Sequence, residues 1–273
     1  LRRGGEIGVS RYLVCSTATK PEQVEHINTF IHEQCELYPE FYGFATMHPD
    51  YAHIEEELDR ALEMGLHGIK LHPDFQHFDI DAPEALPLYR AASERKLPIL
   101  FHTGDDRYDY SAPHRLRKIA EAFPDLTCIG AHFGGYKAWH QSMEALQQCP
   151  NVYFDTSSTL DFVPVDEAMD MLHAFGIEKF MWGSDFPMWD HKAETLRNGI
   201  GHMRIGTERH HFAAEFPIAG KEIPARHTVA KAVPAGGVHL QRLAMLDQEV
   251  QNRIQLVRLI LVAQRRKALA LHE

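Results

Sequence analysis

Between Arg11 and Pro187, short apolar runs alternate with longer amphipathic ones, the order expected of parallel βα units. Seven runs read as strands: RYLVCST, YGFATMH, HGIKLH, LPILFHT, LTCIGAH, VYFDTS and KFMWGSD. The intervals carry helix signals. Thr19-Lys20-Pro21-Glu22 supplies an N-cap residue, a proline and an acidic first turn, and Pro49-Asp50 precedes a helix bearing Ile54, Leu58, Ala61 and Leu62. Further helices are predicted near 85–95, 114–123, 137–148 and 165–175. Each crossover is long enough to return the chain parallel to the previous strand.

An α/β barrel accommodates this order, and its ligand-binding groups lie at the C-terminal ends of the strands. His72, His102, His132, Asp155 and Asp185 fall there. A doubly wound open sheet would follow its first strand with a glycine-rich phosphate turn, and Ser16-Thr17-Ala18-Thr19 is not one. Beyond Asn198 the alternation fails. That division gives a barrel over residues 1–198 and an extension over 199–273. The extension opens with an irregular Gly, Pro and His-containing segment and ends in an amphipathic helix marked by Leu243, Leu246, Val250, Ile254, Val257 and Leu261. This helix is expected to pack on its own barrel; a homo-oligomer seam is the alternative use of its apolar face.

Charge sharpens the boundary. Residues 1–198 carry 17 Lys and Arg against 32 Asp and Glu, whereas 199–273 carry 11 against 6, so the sign reverses. A fused or frame-shifted segment would account for that reversal. The net charge of -10 argues against a nucleic-acid partner. No apolar run approaches the roughly 18 residues of a membrane span, and the first residues show no secretory leader. Four cysteines without a C-x-x-C pair suit a reducing, cytoplasmic setting.

Three strand ends carry candidate chemistry. His102 closes the most apolar strand and precedes small Thr103 and Gly104, which would leave access to a divalent ion. Zinc takes imidazole and carboxylate ligands and lowers the pKa of a bound water from about 15.7 to about 7. His132 would orient that water or a substrate oxygen and move a proton. Asp185 would ligate the metal with one oxygen and accept a proton with the other. Each has a plainer reading: a hydrogen-bonded structural histidine in the first two cases, an N-cap in the third.

GIKLHP, LFHTGD, GAHFGG, VYFDTS and MWGSDFP, in this order, resemble the metal-dependent amidohydrolase superfamily, in the branch that includes aminocarboxymuconate-semialdehyde decarboxylase. The resemblance covers roughly residues 9–197. It implies a TIM-type (β/α)8 barrel, incomplete here because only seven strands are recognisable. It also implies metal ligation by His102, catalysis by His132, and both ligation and acid-base work by Asp185, with zinc, or alternatively manganese, as the divalent metal. The family's first strand ends in His-x-His, and none of the 19 histidines here forms that pattern. Lys70 and His72, on one face of their strand, or His210 and His211 in the extension, are the available replacements.

Arg107, Tyr108, Lys137, Trp139 and Trp189 in the adjoining loops suit a small carboxylated or aromatic substrate. The resulting expectation is a metal-dependent hydrolase or non-oxidative decarboxylase acting on a small molecule. The competing one is an inactive or truncated relative that keeps a binding or structural role.

Overall fold

The structure is a computed structural model that describes residues 1–6 and 9–189. The extension, including His210, His211 and the expected C-terminal helix, lies outside the described residues.

All strand pairs are parallel. β1 (Tyr12–Val14) pairs with β2 (Phe41–Gly43), while β3 (Ala45–Thr46), β4 (Ile69–Leu71), β5 (Ile99–Phe101), β6 (Cys128–Gly130), β7 (Val152–Asp155) and β8 (Phe180–Met181) follow one another in a second sheet. β2 and β3 are one predicted strand with a neighbour on each side. The Phe44 amide donates to the Val14 carbonyl at 2.9 Å, and the next amide, of Ala45, donates to Gly68 at 2.8 Å. The seven predicted runs therefore all form strands, consecutive in space as in sequence, in the wall of a TIM-type barrel.

The six predicted helices are present as α1 (Val24–Leu37), α2 (Ile54–Glu63), α4 (Leu86–Glu94), α5 (Pro113–Ala122), α6 (Trp139–Leu146) and α7 (Val165–Phe175), and a short α3 (Pro73–Gln76), which the spacing did not predict, follows β4. Among the described residues no helix is long and apolar enough to cross a membrane. The core lies between strands and helices. Ile69, Leu71, Ile99, Phe101, Cys128, Phe154 and Phe180 from the sheet meet Leu58, Leu88, Leu116, Leu146 and Leu172 from the helices, all essentially inaccessible. Burying each large apolar side chain contributes roughly 1.5–3 kcal/mol.

One polar side chain ties α1 to the wall. Asn28, fully buried, accepts from the Thr46 amide at 2.7 Å and donates to the Thr46 carbonyl at 3.1 Å and to Glu57 at 2.7 Å. It thus pairs with β3 as a neighbouring main chain would, just where the strand ends. Glu57 in turn takes Arg60 on both oxygens at 2.7 Å. Replacing Asn28 by Ala strands a buried amide and carbonyl, and the expected loss is about 2–3 kcal/mol of stability, read as a lower urea midpoint.

Candidate active site

Strand register assembles the site. Leu71 pairs with Phe101, Phe101 with Gly130 and Gly130 with Phe154. The residues one step further, His72, His102, Ala131 and Asp155, therefore form a single row. Alternation puts that row on the face opposite the helix-packed row before it, the face that also carries Lys70. Lys70 and His72 accordingly share a face, as the sequence implies.

His72 stacks on His102 with ring centroids 3.9 Å apart, and on its other side against Phe75 at 3.7 Å. His132 stands one residue beyond the row, and extended backbone would send its side chain to the wrong face. Its φ of 60°, followed by 56° at Phe133, turns the chain back. The Asp155 carboxylate accepts the His132 amide at 3.2 Å, and the Asp155 carbonyl accepts that of Phe133 at 2.9 Å, fixing this turn. His132 Nε2 then lies 3.2 Å from His102 Nδ1.

The two predicted histidines are thus brought together. Asp185 has a φ of 51° and accepts a hydrogen bond from Ser158 Oγ at 3.0 Å. Along with Asp155 it acts electrostatically on Lys70. Its backbone carbonyl receives the Met188 amide at 2.9 Å in a turn, and the segment that Asp185 would cap lies outside the described residues. Asp155, at a strand end as predicted, caps the segment that follows it. Its Oδ1 accepts the Ser157 amide at 2.9 Å and the Ser157 hydroxyl at 2.5 Å, and that hydroxyl lies 3.0 Å from His132 Nδ1.

Asp74 is the residue sequence reasoning missed. It follows His72-Pro73 at the start of α3, where an acidic residue reads as an ordinary helix-opening group. It is 1% exposed, receives the Ser111 hydroxyl at 2.5 Å, and lies 3.9 Å from His102 Nε2. His72, Asp74 and His102 each offer a ligand atom, all within 4.8 Å of one another. Among the described residues, His72 Nδ1 and Asp74 Oδ1 are buried without a hydrogen-bond partner. Buried polar atoms are rarely left so, since each costs roughly 1–3 kcal/mol. Neutral imidazole and carboxylate are the ligands that zinc and manganese accept, so these residues fit a divalent cation.

Burial favours the neutral ring. It pushes His72 down to about 3, assisted by Lys70 and His132. It pushes His102 well below the usual histidine range, assisted by His132, His72 and Lys70. Burial raises the Asp74 carboxyl, against the hydrogen bond from Ser111. Desolvation also lowers the Lys70 ammonium, with Cys15, Asp155 and Asp185 opposing it.

The predicted substrate loops differ in detail. Arg107 is engaged by Asp105 at 2.7 and 2.9 Å, and Lys137 by Asp106 at 2.7 Å. Trp139 donates its indole hydrogen to the His132 carbonyl at 3.1 Å and stacks on Phe162, whose ring meets Tyr136 and Trp189 edge-on. Gly104 serves close packing rather than access. At its φ of 78° a Cβ would sit 2.5 Å from the Tyr136 nitrogen.

The comparisons agree with this architecture. The amidohydrolase family model matches residues 17–199. An uncharacterised TIM-barrel protein from Bordetella bronchiseptica is 18% identical over 71% of this chain and 72% of its own, with a TM-score of 0.61. 5-Carboxyvanillate decarboxylase from Sphingomonas paucimobilis is 15% identical over 74% and 76%, with a TM-score of 0.59. Dihydroxybenzoic acid decarboxylase from Polaromonas, solved with manganese and 2-nitroresorcinol, is 15% identical over 72% and 77%, with a TM-score of 0.56. No curated protein matches the chain.

The depressed His72 makes a prediction about acid stability. Its folded pKa of about 3 lies below the unfolded value of about 6.5, so the unfolded chain binds the extra proton between them. The stability it contributes is complete above pH 6.5 and is lost as pH falls toward 3. In chelator, the slope of unfolding free energy against pH between 6.5 and 5 should be shallower in His72→Leu, by up to about 1.4 kcal/mol per pH unit.

Proposed function

We propose, from the premise that this chain belongs to the amidohydrolase family, that it is a metal-dependent hydrolase or non-oxidative decarboxylase of a small carboxylated or aromatic molecule. The observation that carries the reading is the pair of unpartnered buried donors, His72 Nδ1 and Asp74 Oδ1, gathered on His102. In this reading His102 and Asp185 hold the metal, as the family motifs imply, with the Asp74 carboxylate a further donor beside His102. Bound there, a divalent ion supplies a positive charge that polarises a substrate oxygen and acidifies water.

His132 handles the proton. Its Nδ1 faces the Ser157 carbonyl at 3.1 Å, which can only accept, so Nδ1 carries the hydrogen and Nε2 is left basic. Asp185 keeps one carboxylate oxygen on Ser158, which orients the other. Tyr136, Trp139 and Phe162 form an aromatic wall beside His132, a surface on which a planar acid would stack. The two decarboxylases of like fold act on aromatic acids by their names, which favours decarboxylation over hydrolysis as the first activity to assay.

The competing reading, an inactive relative, is separated from this one by metal content. Purified protein dialysed without chelator should retain near-stoichiometric zinc or manganese by elemental analysis, and His102→Gln should retain at most a tenth of it. A metal-free protein that takes up no zinc on addition would support the inactive relative instead.

A further inference from the structure

A small acid held in this site needs a cation to meet its charge, and the two that the predicted substrate loops offer are taken. Arg107 is engaged by Asp105 and Lys137 by Asp106. Strand register supplies another deeper in the barrel. Thr46 pairs with Lys70, Lys70 with Leu100, Leu100 with Ile129 and Ile129 with Tyr153. This second row shares the face of His72 and His102 and lies two residues, about 6.6 Å, below them. Lys70 is the one cation in it.

Three observations set Lys70 apart. Among the described residues, no carboxylate is in ion-pair contact with its ammonium and no hydrogen bond reaches it; Cys15, Asp155 and Asp185 act on it from a distance. Lys118 and Lys137, by contrast, hold carboxylates at 2.5 and 2.7 Å, and Lys179 holds a carbonyl at 2.7 Å. The two acids that face Lys70 are engaged elsewhere, Asp155 by the Ser157 hydroxyl and the His132 amide, Asp185 by Ser158. Next, Lys70 is only half-buried, as are Leu100 and Tyr153 in the same row. Ile69, Leu71, Ile99 and Phe101, which alternate with them on the helix side, are inaccessible. The row therefore borders a space open to a small molecule. Finally, the charge of Lys70 acts on both His72 and His102, which places it within reach of the row above.

A cation crowded by protein without a close counter-ion is costly. A carboxylate at the ammonium removes that cost and leaves the rest of the molecule to extend toward the histidines. We infer that Lys70 holds an anionic oxygen of the substrate inside the barrel, below the histidine row, and so selects acids over neutral molecules of like shape. Its part is binding: an ion pair and a hydrogen bond form, and no covalent bond changes. The inference rests on the reading of this face as a site for a small carboxylated molecule, and it names the group that recognises the carboxylate.

The test uses the full chain with zinc added, its zinc content measured by elemental analysis, and two planar probes of one shape, anionic benzoate and neutral nitrobenzene. By calorimetry, Lys70→Met should lower the ratio of benzoate to nitrobenzene affinity about 10- to 100-fold, the worth of one charge-assisted hydrogen bond, with zinc content unchanged. An unchanged ratio, whether both probes weaken together or neither does, would make Lys70 a structural residue and overturn the inference, while zinc content upholds the metal-dependent reading. A protein that takes up no zinc yet loses its benzoate preference in Lys70→Met would overturn the metal-dependent reading and support this one. In a crystal of the wild-type protein soaked with 4-iodobenzoate, whose iodine marks the ring, a carboxylate oxygen should lie within about 3.2 Å of Lys70 Nζ. A carboxylate held at Arg107 or Lys137 instead would overturn the inference, and that result requires no variant to fold.

Discussion

Register in a parallel sheet is the constraint on which the site depends. Pairing Leu71 with Phe101, Phe101 with Gly130 and Gly130 with Phe154 leaves no freedom in which residues end level with one another. A one-residue slip in any strand would send its polar end group to the helix side and an apolar core residue to the mouth. The packed row of Leu71, Phe101, Phe154 and Phe180 makes such a slip costly. The chemistry of His72, His102 and Asp155 is thus held in place by apolar neighbours one residue earlier in each strand.

Desolvation does the second part of the work. Rings held neutral by burial keep a lone pair available for a cation, which a solvated imidazole near neutral pH offers for only part of the time. The same burial makes unpartnered polar atoms expensive.

Much of this was readable from the chain. Period and spacing identified the seven strands and the six longer helices between them, because apolar alternation reports burial directly. His102 and His132 were legible as strand-end groups. Asp74 was not, since its burial depends on Ser111, 37 residues away in sequence, and H-P-D reads locally as a helix start. The turn that brings His132 to His102 was hidden as well. It requires left-handed backbone at two non-glycine residues, His132 and Phe133, which no propensity favours and which Asp155 imposes from the next strand.

The pairing of Arg107 with Asp105 and of Lys137 with Asp106 bears on how a ligand arrives. Both cations are neutralised at close range, and residues 1–198 carry a large acidic excess. An anionic molecule approaching the mouth receives no long-range attraction from these two side chains, and the surrounding field opposes it. Dilute buffer, which lengthens the reach of that field, slows the encounter, and added salt speeds it. Selection of an acid then falls to short-range contacts made after entry rather than to electrostatic steering.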